Sequence, residues 1–390
     1  MSPSWIERLR ARFEPAASVG LVIGRRRVGL VRVRRSARGV EIETLAEAEL
    51  AVPLFTGKPA PEAIAALTDT LAALAGSLAR EYLPVHVSLP DAAVRVAVFE
   101  LEALPRTRAE QQELARWRLQ QEAGAGTVAC ASQALGADGE RQLLLGLAVD
   151  DAWRSAITAA LAHAGITAWS LSADCCRQFN RFHDRLAADS GALVSVSEDC
   201  WALLLWDSAG RVRYARACWR AAGDDHADLA AEIERSIAAY AHGAAGRSVA
   251  HVYVIADAAD AALPAALDAR LRIPCVQLTV QDELVATAEV DLARVSRPRC
   301  AGGGAGTMRT AANLLGGRAP LALPLAALLW ALGAMLAVVA LVLVAAALDM
   351  RAERPRLEQR LARVDEQYAP PPRPGMACRR RPSLRPCASA

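Results

Sequence analysis

Two adjacent acid pairs, Asp150-Asp151 and Asp224-Asp225, are the side chains best spaced for acid–base chemistry. Two carboxylates held together can differ in proton affinity and split the roles of acid and base. Each pair also stands just before a run of helical periodicity. There an aspartate accepts hydrogen bonds from the first free amides, and N-capping is the reading adopted. Metal and nucleophile chemistry have less support. The six histidines (86, 163, 183, 226, 242 and 251) are scattered, and no His-Glu-x-x-His or Gly-x-Ser-x-Gly run occurs. None of the nine cysteines sits in a Cys-x-x-Cys pair, so those from Cys130 to Cys275 read as small apolar residues in a reducing compartment. Lys58 follows Gly57, but Pro59 comes next and the upstream glycine of a phosphate-binding loop is missing. No catalytic residue, metal site or cofactor is expected.

The elements that would hold such groups begin with a membrane segment. The chain has 390 residues, 53% of them hydrophobic, with a mean hydropathy of +0.18. That excludes a disordered or collagen-like chain and calls for an apolar span. From Ala319 to Leu348 no charged residue appears. The 24 residues Leu325–Leu348 would make a helix of about 36 Å, enough to cross a bilayer core. Residues 1–318 precede it with no apolar signal segment, which places them in the cytoplasm of a single-pass inner-membrane protein. The arginines at 351, 354, 356, 360 and 363 argue for the opposite orientation. Net charge is only +3, so nothing favours nucleic acid. Trp5, Ile6, Leu9 and Phe13 give residues 1–17 a short amphipathic pattern suited to docking.

Residues 18–34 read as two strands around a basic turn at Arg25–Arg27, and 39–48 as a third. Ile64, Leu67, Leu71, Leu74 and Leu78 mark a helix opened by Pro61. Strands follow at 85–89, 94–101, 141–149 and 166–171, with helices at 108–122, after Asp150, and at 173–187. The order then restarts. Three strands (191–197, 201–207, 211–218) precede a helix carrying Leu229, Ile233, Ile237 and Tyr240. A strand at 250–255, a helix at 259–271 and a strand at 273–278 complete it. This is a duplicated α/β unit with mixed sheets.

The carrying segments are SVGLVIGRRRVGLVRV at 18–33, VHVSLPDAAVRVAVFELEALPRTRAEQQELARWRLQQE at 85–122 and LLLGLAVDDAWRSAITAALAHAGITAWSLSADCCRQF at 143–179. GALVSVSEDCWALLLWDSAGRVRYARAC at 191–218 continues the layout. Over about residues 18–290 their order resembles the actin-like fold, and more narrowly the pilus assembly protein PilM and the cytoplasmic part of the secretion protein GspL. The MSHA-type pilus biogenesis protein MshI is the nearest family label. The resemblance implies a first actin-like subdomain at 18–189, with an inserted subdomain at about 92–148, and a second at 190–290. A scaffold of a type IV pilus or type II secretion platform follows from it. Its implied partners are other inner-membrane platform proteins, a cytoplasmic assembly ATPase, membrane lipid and a second copy of the chain.

Actin-like ATPases hold nucleotide between two hairpins of the type Asp-x-Gly-[Ser/Thr], with a glycine-rich adenosine loop. Val22 stands where the first aspartate would be, and only Gly24 survives. Ser195 and Ser197 occupy the second hairpin, again without the aspartate or glycine, and Ala256 stands in the adenosine loop. ATP hydrolysis is therefore not expected. Arg25–Arg27 read as an exposed, solvated turn rather than an anion contact. A membrane-anchored actin-like ATPase and a membrane-tethered signalling protein are the alternative functions.

Residues 291–318 form a glycine-rich linker holding Asn313-Leu314-Leu315. This tripeptide resembles the short docking motif that precedes the membrane helix of PilN, the partner of PilM. It is expected to dock on the 18–290 domain, in cis or in trans; the alternative is that both leucines extend the membrane helix. After the span, 349–368 suit a short helix or coiled coil, and 369–390 read as an unstructured tail.

Overall fold

The computed structural model describes residues 17–36, 39–76, 83–123, 126–183, 185–186, 189–221, 225–243, 248–257, 260–279, 284–286, 312–315 and 325–368. The amphipathic 1–16, Asp224, most of the linker and the tail from 369 lie outside the described residues. The chain forms two units, Met1–Ala322 and Leu323–Ala390.

In the first unit, β1 (Ala17–Ile23), β2 (Arg27–Ser36) and β3 (Gly39–Glu49) pair antiparallel. Helix α1 (Pro61–Ala75) crosses to β4 (Val85–Leu89), which lies parallel to β1. An inserted layer follows: β5 (Arg95–Leu101), α2 (Arg108–Ala123), β6 (Val128–Asp138) and β7 (Arg141–Asp150). Its three-stranded sheet has the order β5-β7-β6. Helix α3 (Asp151–His163) then returns the chain to β8 (Ala168–Ala173), parallel to β4, and α4 (Asp174–Phe182) leaves the sheet.

The pattern repeats. Strands β9 (Gly191–Val196), β10 (Cys200–Trp206) and β11 (Val212–Trp219) pair antiparallel. Helix α5 (His226–His242) leads to β12 (His251–Ala256), parallel to β9, and α6 (Leu263–Leu271) to β13 (Cys275–Gln277). The second sheet runs β11-β10-β9-β12-β13. The first runs β3-β2-β1-β4-β8 in the same sense, with β14 (Leu284–Ala286) added beside β3. Both are mixed sheets with parallel crossovers through helices, which bury apolar residues on both faces. Each has its own core, Leu21, Leu30 and Leu67 in the first and Val194, Leu203 and Ile233 in the second.

Local chemistry explains the boundaries. Asp150 accepts a hydrogen bond from the Ala152 amide at 2.8 Å and caps α3. Asp225 caps α5 through the Ala227 amide. One acid of each pair, Asp150 and Asp225, is thus a helix cap, while Asp151 opens α3 and accepts from the Arg154 guanidinium at 2.8 Å. Helix α1 stops at Ala75, short of Leu78, which lies outside the described residues. Strand β8 starts two residues later than its apolar run suggests. Gly165 takes a φ of +72° and the Ile166 amide bonds back to the Leu161 carbonyl, so both still belong to the end of α3. Helix α4 ends at Phe182 rather than near 187. Strand β6 was not anticipated: VACASQALGAD is rich in small residues and has no alternation of apolar and polar.

Charge ties the inserted layer to the second sheet. On β11 the buried Arg213 guanidinium meets Glu100 at 2.9 Å and Asp138 at 2.6 Å, and Arg211 meets Asp138 at 2.9 Å and Asp207 at 2.8 Å. The hydrogen bond from Arg213 holds the Asp138 carboxyl below its ordinary range.

A second polar group is sealed between β4 and β8. Arg177, 5% exposed, donates to the Ser170 hydroxyl at 2.7 Å and to the Val87 carbonyl at 3.1 Å, while His86 Nδ1 lies 2.8 Å from the Ser170 hydroxyl. Burial, and then the Arg177 charge, push the His86 pKa down from 6.5 to about 3. The folded chain keeps this imidazole neutral, whereas the unfolded chain takes up a proton below its ordinary pKa. Stability is therefore complete above about pH 6.5 and is lost as pH falls toward 3. Between pH 6.5 and pH 5 the loss is about 2 kcal/mol from this group. Urea titrations at pH 7 and pH 5 should show a His86→Asn variant losing less stability than the parent by that amount. Equal losses would place His86 in contact with water.

Candidate functional site

Two places carry functional signals: the cleft between the hairpins, and the outer edge of β8.

The cleft is lined by Val22, Gly24 and Arg27 from the first hairpin, Ser197 and Glu198 from the second, and Asp257 after β12. Val22 packs against the first core, and Ser195 is fully buried within β9. The Ser197 hydroxyl closes its own turn, donating to the Cys200 carbonyl at 2.8 Å and accepting from the Cys200 amide at 3.1 Å. Gly24 has a structural reason to be glycine. Its amide donates to the Arg27 carbonyl at 2.8 Å, and a Cβ there would stand 2.9 Å from that same oxygen. Ala256 packs against the second core.

The arginine turn is not simply solvated, and here the sequence expectation is corrected. Arg26 is exposed, but Arg25 is half-buried with its guanidinium 5.5 Å from the centre of the Trp219 ring. Phe55 stacks between Trp219 and Trp153 at 6.2 and 4.8 Å. Arg27 reaches Glu49 at 3.2 Å and Glu198 of the opposite hairpin at 3.7 Å. Acids outnumber bases around the opening: Glu47, Asp91, Asp174, Glu198, Asp199 and Asp257 against Arg25 and Arg27. Burial and the neighbouring Glu198 raise the Asp199 pKa. Deeper in, Arg220 joins the Ser197 carbonyl at 2.8 Å to the Asp260 carboxylate at 3.0 Å, and His226 lies 3.0 Å from the same carboxylate. The remaining cavity is about 50 Å³, well under the roughly 300–1,000 Å³ of ordinary small-molecule sites.

The second place gathers Asn313, Leu314 and Leu315. Strand β8 ends its sheet, so the backbone groups on its outer side need partners. Asn313 supplies them. Its Oδ1 accepts from the Leu171 amide at 3.0 Å, and its Nδ2 donates to the Trp169 carbonyl at 3.1 Å. The side-chain amide thus presents the donor and acceptor that another strand would offer. The Leu314 amide donates to the Leu171 carbonyl at 2.9 Å, and the Leu315 amide turns back onto Asn313 Oδ1 at 3.1 Å. Leu314 is 2% exposed and Ala312 6%, both within the first core, and Leu315 packs against it. Full burial of the Leu314 side chain contributes about 1.5–3 kcal/mol. Leu314 and Leu315 lie against the β8 edge and outside helix α7 (Leu325–Tyr368). The Ser170–Arg177–His86 group beneath this edge was not singled out from sequence. Its members are 84 and 7 residues from Ser170, and no local motif joins them.

The first unit shares its fold with a chain of the PilM-PilN type IV pilus biogenesis complex. The TM-score is 0.61 at 16% identity, covering 74% of this chain and 97% of that one. The cytoplasmic domain of EpsL, an inner membrane component of the type II secretion system of Vibrio cholerae, aligns at 0.43 with 13% identity over 78% and 99%. A Bacteroides thetaiotaomicron protein with an actin-like ATPase fold and unknown function aligns at 0.45 with 8% identity over 70% and 94%. No protein-family model matches the chain, and no curated protein matches it. The fold is the α/β actin-like fold.

Replacing Asn313 by alanine would leave the Leu171 amide and Trp169 carbonyl without their side-chain partner. The expected cost is about 1–3 kcal/mol, read as a lower urea midpoint with an unchanged slope. Amide exchange at Leu171 should accelerate in the same variant. An unchanged exchange rate would mean that the edge is satisfied by water.

Proposed function

We propose that this chain is a single-pass inner-membrane scaffold of a type IV pilus or type II secretion assembly platform, acting by protein binding without turning over nucleotide. The observation that carries the reading is the 312–315 segment. It is held against the edge of an actin-like unit, and helix α7 begins ten residues after Leu315. The PilM-PilN structure supports it as a shared fold in a pilus biogenesis complex.

The membrane assignment rests on sequence. Leu325–Leu348 carries no charge, and α7 runs unbroken through it. Among the described residues no helix is long and apolar enough to cross a membrane, the side chains of 325–332 lying outside them. In this reading 1–318 face the cytoplasm, and the partners are other inner-membrane platform proteins, a cytoplasmic assembly ATPase and lipid. Within that group, the MSHA-type protein MshI is the narrower assignment. Against an ATPase stand the replaced hairpin residues Val22 and Ser195, Ala256 in the adenosine loop, the turn-closing role of Ser197 and the small, acid-lined cleft.

Alkaline phosphatase fused at residue 290 should be inactive, and fused after Tyr368 active. The reverse pattern would agree with the arginines beyond the span and overturn the proposed orientation. Magnesium-dependent ATP hydrolysis by the purified chain would overturn the binding-only role.

A further inference from the structure

Two aromatic clusters join the half built on the first sheet to the half built on the second. They fall at opposite ends of the β10–β11 ladder, where Trp206 pairs with Val212 at one end and Cys200 with Trp219 at the other. A strand rise of about 3.3 Å per residue puts these ends roughly 20 Å apart.

At the Trp206 end the halves share a core. The Trp206 ring lies 5.5 Å from Phe179 of α4 and 6.0 Å from Tyr253 of β12. All three are at least nine-tenths buried on regular elements, and with Leu204 and Val212 they belong to the first core. The charged ties from the inserted layer fall at this end too, on Arg211 and Arg213 either side of Val212.

The Trp219 end is built differently. Its indole is met by Phe55, from the loop between β3 and α1, at 6.2 Å and by the Arg25 guanidinium at 5.5 Å. Phe55 and Trp219 are half-buried, and the cavity of about 50 Å³ opens at this end, with Cys200 in its wall. The pair Arg27–Glu198, both partners partly exposed at 3.7 Å, adds little to the closure. The loop itself is fastened to the first half on both sides of Phe55. The Leu50 and Leu54 amides donate to the Arg26 and Arg25 carbonyls, each at 2.7 Å, and Leu54 is fully buried in the first core. Beyond Phe55, the Trp153 indole N–H donates to the Gly57 carbonyl at 2.6 Å. Between these anchors Phe55 takes a φ of +58°, in the left-handed region that a bulky side chain rarely enters. Such strain persists where surrounding contacts over-determine a residue, and it gathers at clamps and switches. Here the strained residue is the one that reaches across to the second half.

We propose that the 50–57 loop is a latch that holds the cleft shut by seating Phe55 on Trp219. The halves part at this end while the Trp206 end stays joined. The contrast between the two ends carries the proposal: buried rings on regular elements act as the hinge, and a half-buried ring on a strained, anchored loop acts as the catch. The latch is independent of the membrane and partner assignments above.

The native cysteines read the device in the full-length chain. Cys200 is 2% exposed in the cleft wall, so a thiol reagent reaches it as the cleft opens. Cys130 is equally buried in the separate core of the inserted layer and reports general loosening. Labelling with N-ethylmaleimide, followed by mass spectrometry of the peptides, gives both rates. Phe55→Gly removes the ring and suits the positive φ, and Trp219→Leu removes its seat from the opposite half. Each should raise the Cys200 rate several-fold and leave Cys130 unchanged. The double variant should add little to either, because both break one contact. An unchanged Cys200 rate in either variant, a Cys130 rate rising in step with it, or additive effects in the double variant would overturn the latch.

Discussion

Strand β8 has a neighbour on one side only, and the amide and carbonyl of Leu171 must find partners on the other. An open edge of this kind is a template for whatever extended chain comes near. Here the chain closes it with its own residues 312–315, using a side-chain amide for two bonds and a backbone amide for a third. The arrangement below the edge depends on the same closure. Ser170 sits between the bonded residues Trp169 and Leu171, and it orients Arg177 and His86 inside the sheet. Removing the segment would expose both the edge and part of the first core, because Ala312 and Leu314 belong to that core.

The cleft lies between the turn at Arg25–Arg27 and the turn at Ser197–Cys200. Contacts between the chain's own groups span the opening. Arg27 reaches from one hairpin to Glu198 of the other, Arg25 stacks on Trp219, and Arg220 joins the second hairpin to Asp260 after β12. On the far side Arg211 and Arg213 fasten the inserted layer to β11. Half-exposed pairs such as Arg27–Glu198 add at most about 1 kcal/mol each. The nearly buried Arg213 matters more as a constraint, since removing one partner would leave a charge away from water. The two halves are thus joined by several fixed contacts.

Much of this was legible in the sequence for definite reasons. Period-2 and period-3.6 runs located most strands and helices, and the restart at residue 191 reported the duplicated sheet order. Asp150 and Asp225 were readable as caps because capping is local. Strand β6 was missed because its small residues carry no alternation, and its place beside β7 is set by pairing along the whole strand. The arginine turn was misread because Trp219, which lies against the Arg25 guanidinium, comes from a distant part of the chain. The buried His86 looked like any scattered histidine, since Ser170 is 84 residues away. Asn313-Leu314-Leu315 stood out by position alone. Nothing in three residues reveals that an asparagine side chain will take the place of a strand.

The central claim is that the 312–315 segment recognises the edge of β8 specifically. The direct measurement adds a synthetic peptide spanning 308–318 to the unit truncated after residue 286 and follows binding by calorimetry. The account predicts saturable one-to-one binding, protection of the Leu171 amide, and loss of both with a Leu314→Asp/Leu315→Asp peptide. No binding at millimolar peptide, with amide exchange in β8 unchanged, would contradict it.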